Sequence, residues 1–555
     1  MKMYNHFLYY IERSIKSAWN EPALTNYKGT TYSYGEMAQK IASYHLLFRK
    51  MGIGKGDKIA ICARNSAEWG IVFMAVTTYE AVVVSLLNDF TTESIQSLTE
   101  HSESFVLFTE KDKWSRMTPS SFSYLRFAID LTSDELLWCR DDDPSSWPLG
   151  CYRDDMGQWM KEAYPKGISP DMVDYPKNNF SDLALINYTS GTTSAPKGVM
   201  LSYGNLSSNI EFGQWGIPNH PGESIVSMLP MAHMYGLAFE FLYQLSGGCH
   251  VYFLGKLPSP NILFKAFAEV KPYMIVTVPL VIEKVFKASV FPTLERPKFK
   301  WLMKFPLLRN LVYQRIHDKI LLAFGGELRY MIIGGAAINA EVEDLMKATR
   351  LPYTIGYGMT ECGPILGYED WRKFRKGSCG KAVHRMEIRI DSDDPTKTVG
   401  EIQAKGDNVM MGYYHNEEAT KAAFTDDGWL KTGDLGVMDS KGNIFIRGRS
   451  KNMILSSNGQ NIYPEEIEDK LNNQPYVVES IVVERDKKIV ALVFPDLTRV
   501  SQESLDENGL SKIMEENRLN LNLLLPSYSR ISKIELVKEE FEKTPKRSIK
   551  RFLYQ

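Results

Sequence analysis

Strand-like apolar runs alternate with helical stretches through the first part of this chain, and this alternation limits the possible folds more than any other feature. Apolar runs occupy 58–63 and 81–87, and a helical pattern lies between them at 67–79. Strands that alternate with helices pair in parallel through right-handed crossovers. The sequence therefore predicts an α/β fold with a large body of mixed α/β layers and parallel-type sheets.

A second, smaller unit is predicted near the C-terminal end. The pattern restarts after residue 450, with a helical stretch at 464–472 and strand-like runs at 477–483 and 487–494. A chain of 555 residues is also too long for one hydrophobic core. We predict a large domain over residues 1–450, which includes an irregular stretch at 140–180, and a mobile α+β lid over residues 451–555.

Composition excludes several classes of function. Lysine and arginine total 65 against 67 aspartates and glutamates, and this balance argues against a protein that grips nucleic acid over a wide basic face. The richest apolar stretch, 71–87, carries Glu80 and is shorter than the ~20 residues that a bilayer span needs. Six cysteines lie scattered without CxxC spacing, and the N-terminal residues carry charges where a signal peptide needs an apolar block. These features predict a cytoplasmic protein without a disulfide framework or a zinc site.

The most informative stretch covers residues 188–198 and directly follows the apolar run 183–186. It reads YTSGTTSAPKG and offers serine and threonine hydroxyls, two glycines and a lysine at the end of a predicted strand. Hydroxyls, backbone N–H groups and one cation in such a turn can hold phosphate oxygens. The stretch is not a Walker loop, because Pro196 stands where that motif needs glycine before the lysine. A solvated turn is the alternative interpretation.

This stretch resembles the signature Y-T-S-G-T-T-x-x-P-K-G-V of the adenylate-forming enzymes, which include acyl-CoA synthetases, peptide-synthetase adenylation domains and luciferases. Further motifs match that family in order: LPMAH at 229–233, GGAA at 334–337, GYGMTE at 356–361, GWLKTGD at 428–434, RGR at 447–449 and NGQNIYPEEI at 458–467. One such motif arises by chance, whereas an ordered series does not. The chain is identified as a member of the adenylate-forming superfamily, of the acyl-CoA synthetase (fatty acid–CoA ligase) type.

The resemblance implies a reaction in two steps. A carboxylate attacks the α-phosphate of ATP to give an acyl-adenylate and pyrophosphate, and a thiol then displaces AMP. The first step gathers negative charge on phosphoryl oxygens, so positioning and electrostatics should carry catalysis. The implied cofactors and partners are ATP, Mg²⁺, coenzyme A and a small-molecule acid, with no nucleic acid.

The resemblance also implies roles for individual residues. Lys197 and Thr360 would contact phosphates, and Glu361 would hold Mg²⁺, a hard cation that suits a carboxylate oxygen. Tyr357 would lie against adenine, and Asp434 would accept both ribose hydroxyls. The full set implied for binding the nucleotide and coenzyme A is Thr189, Ser190, Gly191, Thr192, Thr193, Lys197, Gly334, Gly335, Ala336, Gly356, Tyr357, Gly358, Met359, Thr360, Asp434, Arg449 and Gly459.

Three further residues complete the predicted catalytic set. His233 is expected as a gate in the wall of the acyl pocket, with a core histidine as the alternative. The family ends with a K-T-x-x-G-K-like element whose last lysine reaches the α-phosphate, and alignment from Lys543 puts Ser548 at that lysine. Lys546 and Lys550 lie two positions to either side, and we expect one of them to supply the charge.

The leading interpretation is a ligase that joins a medium- or long-chain fatty acid to coenzyme A. The alternatives are an aryl, bile-type or branched acid as substrate, an acyl-carrier protein as acceptor, and a non-catalytic protein that binds a nucleotide or an acyl-adenylate. Cations alternate with aromatic residues across 296–315, which is typical of a membrane-surface segment. A surface helix with an ordinary buried face is favoured there, so peripheral contact with the inner face of the membrane stays an alternative.

Overall fold

The computed structural model of the chain describes residues 4–140, 152–189, 196–255, 260–286, 290–294, 296–455, 460–486, 488–543 and 549–554. The strands formed by these residues are β1 (Pro22–Asn26), β2 (Thr31–Ser33), β3 (Lys58–Cys62), β4 (Val82–Ser85), β5 (Val106–Thr109), β6 (Phe127–Asp130), β7 (Leu136–Cys139), β8 (Leu183–Thr189), β9 (Lys197–Ser202), β10 (Ser224–Ser227), β11 (His250–Phe253), β12 (Met274–Thr277), β13 (Tyr330–Ile333), β14 (Tyr353–Ile355), β15 (Tyr357–Gly358), β16 (Ile365–Tyr368), β17 (Lys381–Ala382), β18 (Met386–Asp391), β19 (Gly400–Gly406), β20 (Gly412–Tyr413), β21 (Leu430–Met438), β22 (Ile444–Arg449), β23 (Ile454–Leu455), β24 (Asn461–Ile462), β25 (Val477–Arg485), β26 (Lys488–Pro495) and β27 (Lys533–Leu536).

The helices pack mainly around these strands, and one short segment, Leu237–Leu242, is π-helical. The α-helices are α1 (Phe7–Ser17), α2 (Tyr34–Lys50), α3 (Ala67–Thr78), α4 (Thr92–His101), α5 (Lys111–Trp114), α6 (Tyr152–Ala163), α7 (Tyr203–Gly216), α8 (Met234–Gly236), α9 (Tyr243–Ser246), α10 (Pro260–Val270), α11 (Pro279–Val285), α12 (Phe291–Leu294), α13 (Pro297–Leu302), α14 (Pro306–Ala323), α15 (Ala340–Ala348), α16 (Glu417–Ala423), α17 (Pro464–Leu471), α18 (Leu497–Gln502) and α19 (Glu507–Leu523).

Two large sheets form the body of the molecule. One has the strand order β20-β9-β8-β4-β3-β5-β6-β7 and the other β14-β13-β12-β10-β11-β1-β2. Neighbouring strands in the middle of each sheet run parallel, and antiparallel pairs lie towards the edges. The predicted α/β fold with parallel-type sheets is therefore confirmed.

The central strands of the second sheet, such as β12 and β13, are buried on both faces. Successive residues of β12, Ile275 and Val276, pack into two different apolar clusters, as the alternation of side chains along a strand requires. The cluster on one face joins both large sheets, and the cluster on the other face includes Val312, Ile316 and Ile320 of α14. Strands covered on both sides need apolar residues on both faces, and β12 and β13 accordingly read as nearly unbroken apolar runs.

The prediction of an irregular stretch at 140–180 is wrong over residues 152–163, which form α6. Met156 of this helix is buried, and Trp159 packs against the larger apolar cluster. The proline- and aspartate-rich segments on either side dominate the local composition and concealed the helical spacing.

The segment after Ser450 has apolar clusters of its own. Ile467 and Leu471 of α17 pack with Val493 of β26 and Met514 of α19. The sheet β25-β26-β27 supports both α17 and α19. The division of the chain between residues 450 and 451 stays a prediction.

Within the described parts of the chain, no helix combines the length and apolarity that crossing a membrane requires.

Candidate active site

The candidate active site lies at the carboxyl ends of three neighbouring parallel strands, β12, β13 and β14. Gly334 follows β13 and donates its backbone N–H to the carbonyl of Thr277 at 3.0 Å. Gly356 follows β14 and donates its N–H to the carbonyl of Ile333 at 2.8 Å. Open α/β sheets bind ligands at such carboxyl ends. The two glycine-containing segments predicted from sequence therefore lie side by side.

Glycine is required by the backbone at two of these positions. Gly335 has a φ of +89°, which residues with a side chain rarely adopt. A Cβ atom on Gly358 would overlap the carbonyl oxygen of Pro364. Gly335 and the following Ala336 are exposed, so this turn presents backbone and a methyl group to any flat ligand.

Asp434 is the centre of a first polar cluster, and its side chain is almost fully buried. Its Oδ2 accepts a hydrogen bond from the Tyr357 hydroxyl at 2.8 Å, and its Oδ1 lies 2.7 Å from Nε of Arg449. Burial raises the pKa of the Asp434 carboxyl, although the charge of Arg449 acts in the opposite direction. The structure thus brings together three residues that the sequence assigned to the nucleoside.

The local strand pairing explains why Asp434 and Arg449 meet, since they are direct partners in the β21–β22 ladder. Gly433, with a φ of +72°, directly precedes Asp434 and lies where the register of the β19–β21 pairing shifts. Oγ1 of Thr432 accepts the N–H of Asp434 at 3.1 Å and donates to the carbonyl of Ile402 at 2.7 Å. These bonds fix the backbone that aims the carboxylate at Tyr357.

Tyr413 connects a second polar cluster, and it lies outside the motifs that predicted the other site residues. Its hydroxyl donates to Oε1 of Glu361 at 3.0 Å, and Nζ of Lys197 lies 4.8 Å from the centre of its ring. β20 places the ring there by pairing with β9, where Tyr413 faces Val199. Burial, together with the negative charge of Glu361, raises the pKa of Tyr413. Thr189 lies at the root of this cluster, since it is the ladder partner of Lys197.

The two clusters are linked through the segment that carries Tyr357 and Glu361. The negative charge of Glu361 is one of the lesser causes that raise the pKa of Asp434, after burial. Glu361 lies in a 3₁₀ turn over Thr360–Cys362, four residues after Tyr357. Thr360 is buried, and the N–H of Met359 donates to the carbonyl of Pro364 at 2.9 Å. One short segment thus presents an aromatic ring at one end and a carboxylate at the other.

His233 lies immediately before α8 and is half-buried. Its carbonyl accepts the N–H of Leu237 at 3.0 Å, at the start of the π-helical segment. That segment contains Glu240, which also lies outside the predicted motifs. Oε2 of Glu240 accepts hydrogen bonds from the N–H groups of Met228 at 3.1 Å and Leu229 at 3.0 Å. Burial raises the pKa of Glu240 to about 8, and its contacts hold the strand end that leads towards His233.

Several predicted residues lie outside the described part of the chain: Ser190, Gly191, Thr192, Thr193, Gly459 and Lys546. Lys550 is described, and its ammonium group lies 3.1 Å from Oε2 of Glu542 within the C-terminal segment. Contacts therefore join Tyr357 to the Asp434 cluster and Glu361 to Tyr413 beside Lys197, whereas the ion pair of Lys550 is made within the C-terminal segment.

A dedicated protein cage for a metal is not found in the described ranges, where no group of three or more His, Cys, Asp or Glu side chains converges on one point. Glu361 uses one carboxylate oxygen for the Tyr413 hydroxyl. Mg²⁺ commonly takes only one or two protein carboxylates and completes its shell with substrate phosphates and water. The donor set around Glu361 and Lys197 fits a magnesium ion that is bound together with phosphate.

Comparison with known proteins agrees with this geometry. A model of the AMP-binding enzyme family matches residues 11–414, and a model of the AMP-binding enzyme C-terminal domain matches residues 451–554. The long-chain-fatty-acid–CoA ligase FadD15 of Mycobacterium bovis is 29% identical over 483 residues, which are 82% of this chain and 75% of that protein. The long-chain-fatty-acid–[acyl-carrier-protein] ligase AEE15 of Arabidopsis thaliana is 26% identical over 566 residues and covers 88% of this chain and 76% of its own length.

A solved structure shows the same fold. ATP-bound MatB from Rhodopseudomonas palustris superimposes with a TM-score of 0.75 at 22% identity, covering 99% of this chain and 98% of its own. The predicted enzyme class, an AMP-forming acid–thiol ligase, is confirmed by the family and by the acid–thiol ligases among the relatives. Because the family model matches most of its length, this chain belongs to the AMP-binding enzyme family of adenylate-forming enzymes.

Proposed function

We propose that this enzyme activates a medium- or long-chain fatty acid as acyl-AMP and transfers the acyl group to coenzyme A, with Mg²⁺ and ATP. The observation that best supports this proposal is the presence of two polar clusters of different chemistry, one around Asp434 and one around Glu361. The short segment from Tyr357 to Glu361 joins them. The choice of acid is supported by relatives named long-chain-fatty-acid–CoA ligase, including one from Escherichia coli that is 27% identical over 500 residues.

The Asp434 cluster would hold the nucleoside. A carboxylate can accept hydrogen bonds from both hydroxyls of a ribose, and Asp434 is oriented for this by Tyr357 and Arg449. The Gly335 turn offers close backbone approach for adenine beside Tyr357. Burial strengthens the interaction of the carboxylate with a bound hydroxyl, because the local dielectric constant is low.

The Lys197 cluster would hold the phosphates. The Lys197 ammonium would attract phosphoryl oxygens, and Thr189 begins the serine- and threonine-rich loop that would surround them. Glu361, held by Tyr413, would be the protein ligand of Mg²⁺. When bound, the ion would add positive charge to the phosphate oxygens that gain negative charge during the first step.

A screen of acids tests the proposed substrate. Saturated acids from acetate to stearate, together with benzoate and a branched acid, are incubated with ATP and Mg²⁺, and AMP release is measured with and without coenzyme A. We expect the largest coenzyme A-dependent release with medium or long chains. Higher release with benzoate or the branched acid would contradict the proposed acid class.

Glu361→Gln tests the proposed metal ligand and should slow pyrophosphate release strongly. A lost metal ligand or charge-stabilising contact costs on the order of 10²–10³ in rate. The matched variant Glu387→Gln alters an exposed glutamate in β18 and should retain full activity. Near-normal pyrophosphate release in Glu361→Gln would contradict the proposed role of Glu361 as a metal ligand.

An acyl-carrier protein is the second candidate acceptor, because the Arabidopsis relative named for that acceptor covers 88% of this chain. Replacing coenzyme A by a phosphopantetheine-loaded carrier protein distinguishes the two. Faster acyl transfer to the carrier than to coenzyme A would support this second candidate. Nucleotide binding without pyrophosphate release for any acid would instead indicate a non-catalytic binding protein.

A further inference from the structure

A surface that is both apolar and cationic lies on α13 and α14, outside the candidate active site. Four large apolar side chains point outward there: Trp301 is 57% exposed, Phe305 46%, Leu307 81% and Leu311 61%. Trp301 and Phe305 contact each other edge to face, with ring centroids 5.0 Å apart. Leu307 and Leu311 are four residues apart, so they stand on one side of α14. We call these four residues and their neighbouring cations the α13–α14 face.

The packing of the fold does not account for these exposed side chains. The opposite side of α14 already supplies Val312, Ile316 and Ile320 to the core. Phe299 and Leu302 of α13 pack partly against the same cluster. The two helices therefore have the ordinary buried side that a surface helix needs, and they carry a second apolar side that is turned towards solvent.

The charged side chains between Glu295 and Asp318, the two acids that flank this stretch, are all positive. Residues 296–317 contain six cations and no aspartate or glutamate: Arg296, Lys298, Lys300, Lys304, Arg309 and Arg315. In the described portion of the chain, none of the six takes part in an ion pair, and all six are exposed. The chain as a whole has a net charge of only −2, so this density of positive charge is local.

We propose that the α13–α14 face docks this enzyme on the surface of an anionic lipid bilayer. Tryptophan favours the interface between headgroups and acyl chains, exposed leucines insert beyond it, and lysine side chains keep their charge at the headgroups. A nucleic acid would match the charge alone and would leave Leu307 and Leu311 in water. This inference goes beyond the proposed function and holds whichever acid the enzyme activates.

Co-sedimentation of the full chain with vesicles tests the proposal. Vesicles of phosphatidylcholine alone are compared with vesicles that also contain phosphatidylglycerol, at low and high salt. We expect binding to the anionic vesicles that weakens as salt screens the charges. Equal binding to both kinds of vesicle, or none to either, would overturn the proposal.

Two pairs of variants locate the binding surface. Lys300→Gln should weaken partitioning about fivefold, the loss expected for one basic residue near an anionic surface. Its control is Lys441→Gln, an exposed lysine between β21 and β22. Trp301→Ser should also weaken binding several-fold, whereas Trp215→Ser, which removes another tryptophan that is 74% exposed, should not.

Activity on octanoate, a medium-chain acid that is soluble in water without vesicles, reports whether each variant is folded, and it should be unchanged in all four. Equal binding by a variant and its matched control would contradict the assignment to this face. Tight, salt-sensitive binding to a polyanion such as heparin without vesicle binding would show that the cations serve a different kind of partner.

Discussion

Replacing Tyr413 by phenylalanine separates the two contacts that this residue makes in the second cluster. The ring, which lies 4.8 Å from Nζ of Lys197, is retained. The hydroxyl, which donates to Oε1 of Glu361 at 3.0 Å, is lost. If Tyr413 acts by orienting Glu361 for Mg²⁺, Tyr413→Phe should leave the contact with Lys197 intact. The variant should then change the dependence of the rate on Mg²⁺ concentration.

The expected size of the effect follows from the lost hydrogen bond. A hydrogen bond to a charged group contributes about 1.5–3 kcal/mol, which corresponds to roughly a tenfold to hundredfold change. Glu361 is half-buried, so solvent replaces part of the lost bond and the lower end applies. We therefore expect about a tenfold fall in the rate of acid-dependent pyrophosphate release and a higher Mg²⁺ concentration for half-maximal rate. Tyr413→Leu also removes a cation–π contact of about 0.5–1 kcal/mol and should lose about twofold to fivefold more.

The assay is pyrophosphate release at several Mg²⁺ concentrations, and the neighbouring residue provides the control. Tyr414 donates its hydroxyl to Oε2 of Glu103 at 3.0 Å, so Tyr414→Phe removes a similar bond to a different carboxylate. Tyr414→Phe should leave the Mg²⁺ dependence unchanged. Identical behaviour of Tyr413→Phe and Tyr414→Phe, or a loss of rate in Tyr413→Phe at an unchanged Mg²⁺ requirement, would refute the proposed action through Glu361.

Three further predictions concern the lid, the C-terminal cation and a buried carboxyl. Lys451 is the first residue of the predicted mobile lid, and we expect the lid to hinge there between the two half-reactions. Lys451→Pro fixes φ near −65° at this position and should impair one half-reaction more than the other; equal losses in adenylation and in thioester formation would argue against a mobile lid. If Lys546 or Lys550 supplies the missing cation, changing that lysine to alanine should slow pyrophosphate release by about 10²–10³, whereas a large acceleration by Ser548→Lys would show that no lysine had replaced it. Burial raises the pKa of Glu240 from 4.5 to about 8, so the folded protein keeps a proton that the unfolded chain releases, and stability should fall as pH rises through this window. Glu240→Gln should abolish that part of the pH dependence of the thermal midpoint, and an unchanged slope would contradict a buried neutral carboxyl.

The sequence predicted the parts of this site that lie in contiguous motifs. Asp434 and Tyr357 could be assigned because each sits in a short stretch that resembles a family motif, although the hydrogen bond between them was not predicted. Tyr413 could not be found in this way. Its hydroxyl reaches a carboxylate 52 residues away, and its strand, β20, has only two residues, too few to show an alternating pattern.

The same contrast holds for the fold. The strands β10, β12 and β13 are buried on both faces and appear in sequence as unbroken apolar runs. Their order in the sheet depends on crossover connections that no local pattern encodes. The exposure of Leu307 and Leu311 on α14 could not be predicted either. A pattern of apolar residues shows which positions are apolar, but it does not show which side of the helix packs against the core.

The most direct test of the central claim is exchange of labelled pyrophosphate into ATP in the absence of any thiol. We predict exchange that requires a fatty acid and Mg²⁺, together with an acyl-AMP product detected by mass spectrometry. Asp434→Ala should reduce this exchange strongly, because it removes the carboxylate proposed to hold the ribose. Exchange that proceeds without an acid, or no exchange with any acid from acetate to stearate, would contradict the formation of an acyl-adenylate at this site.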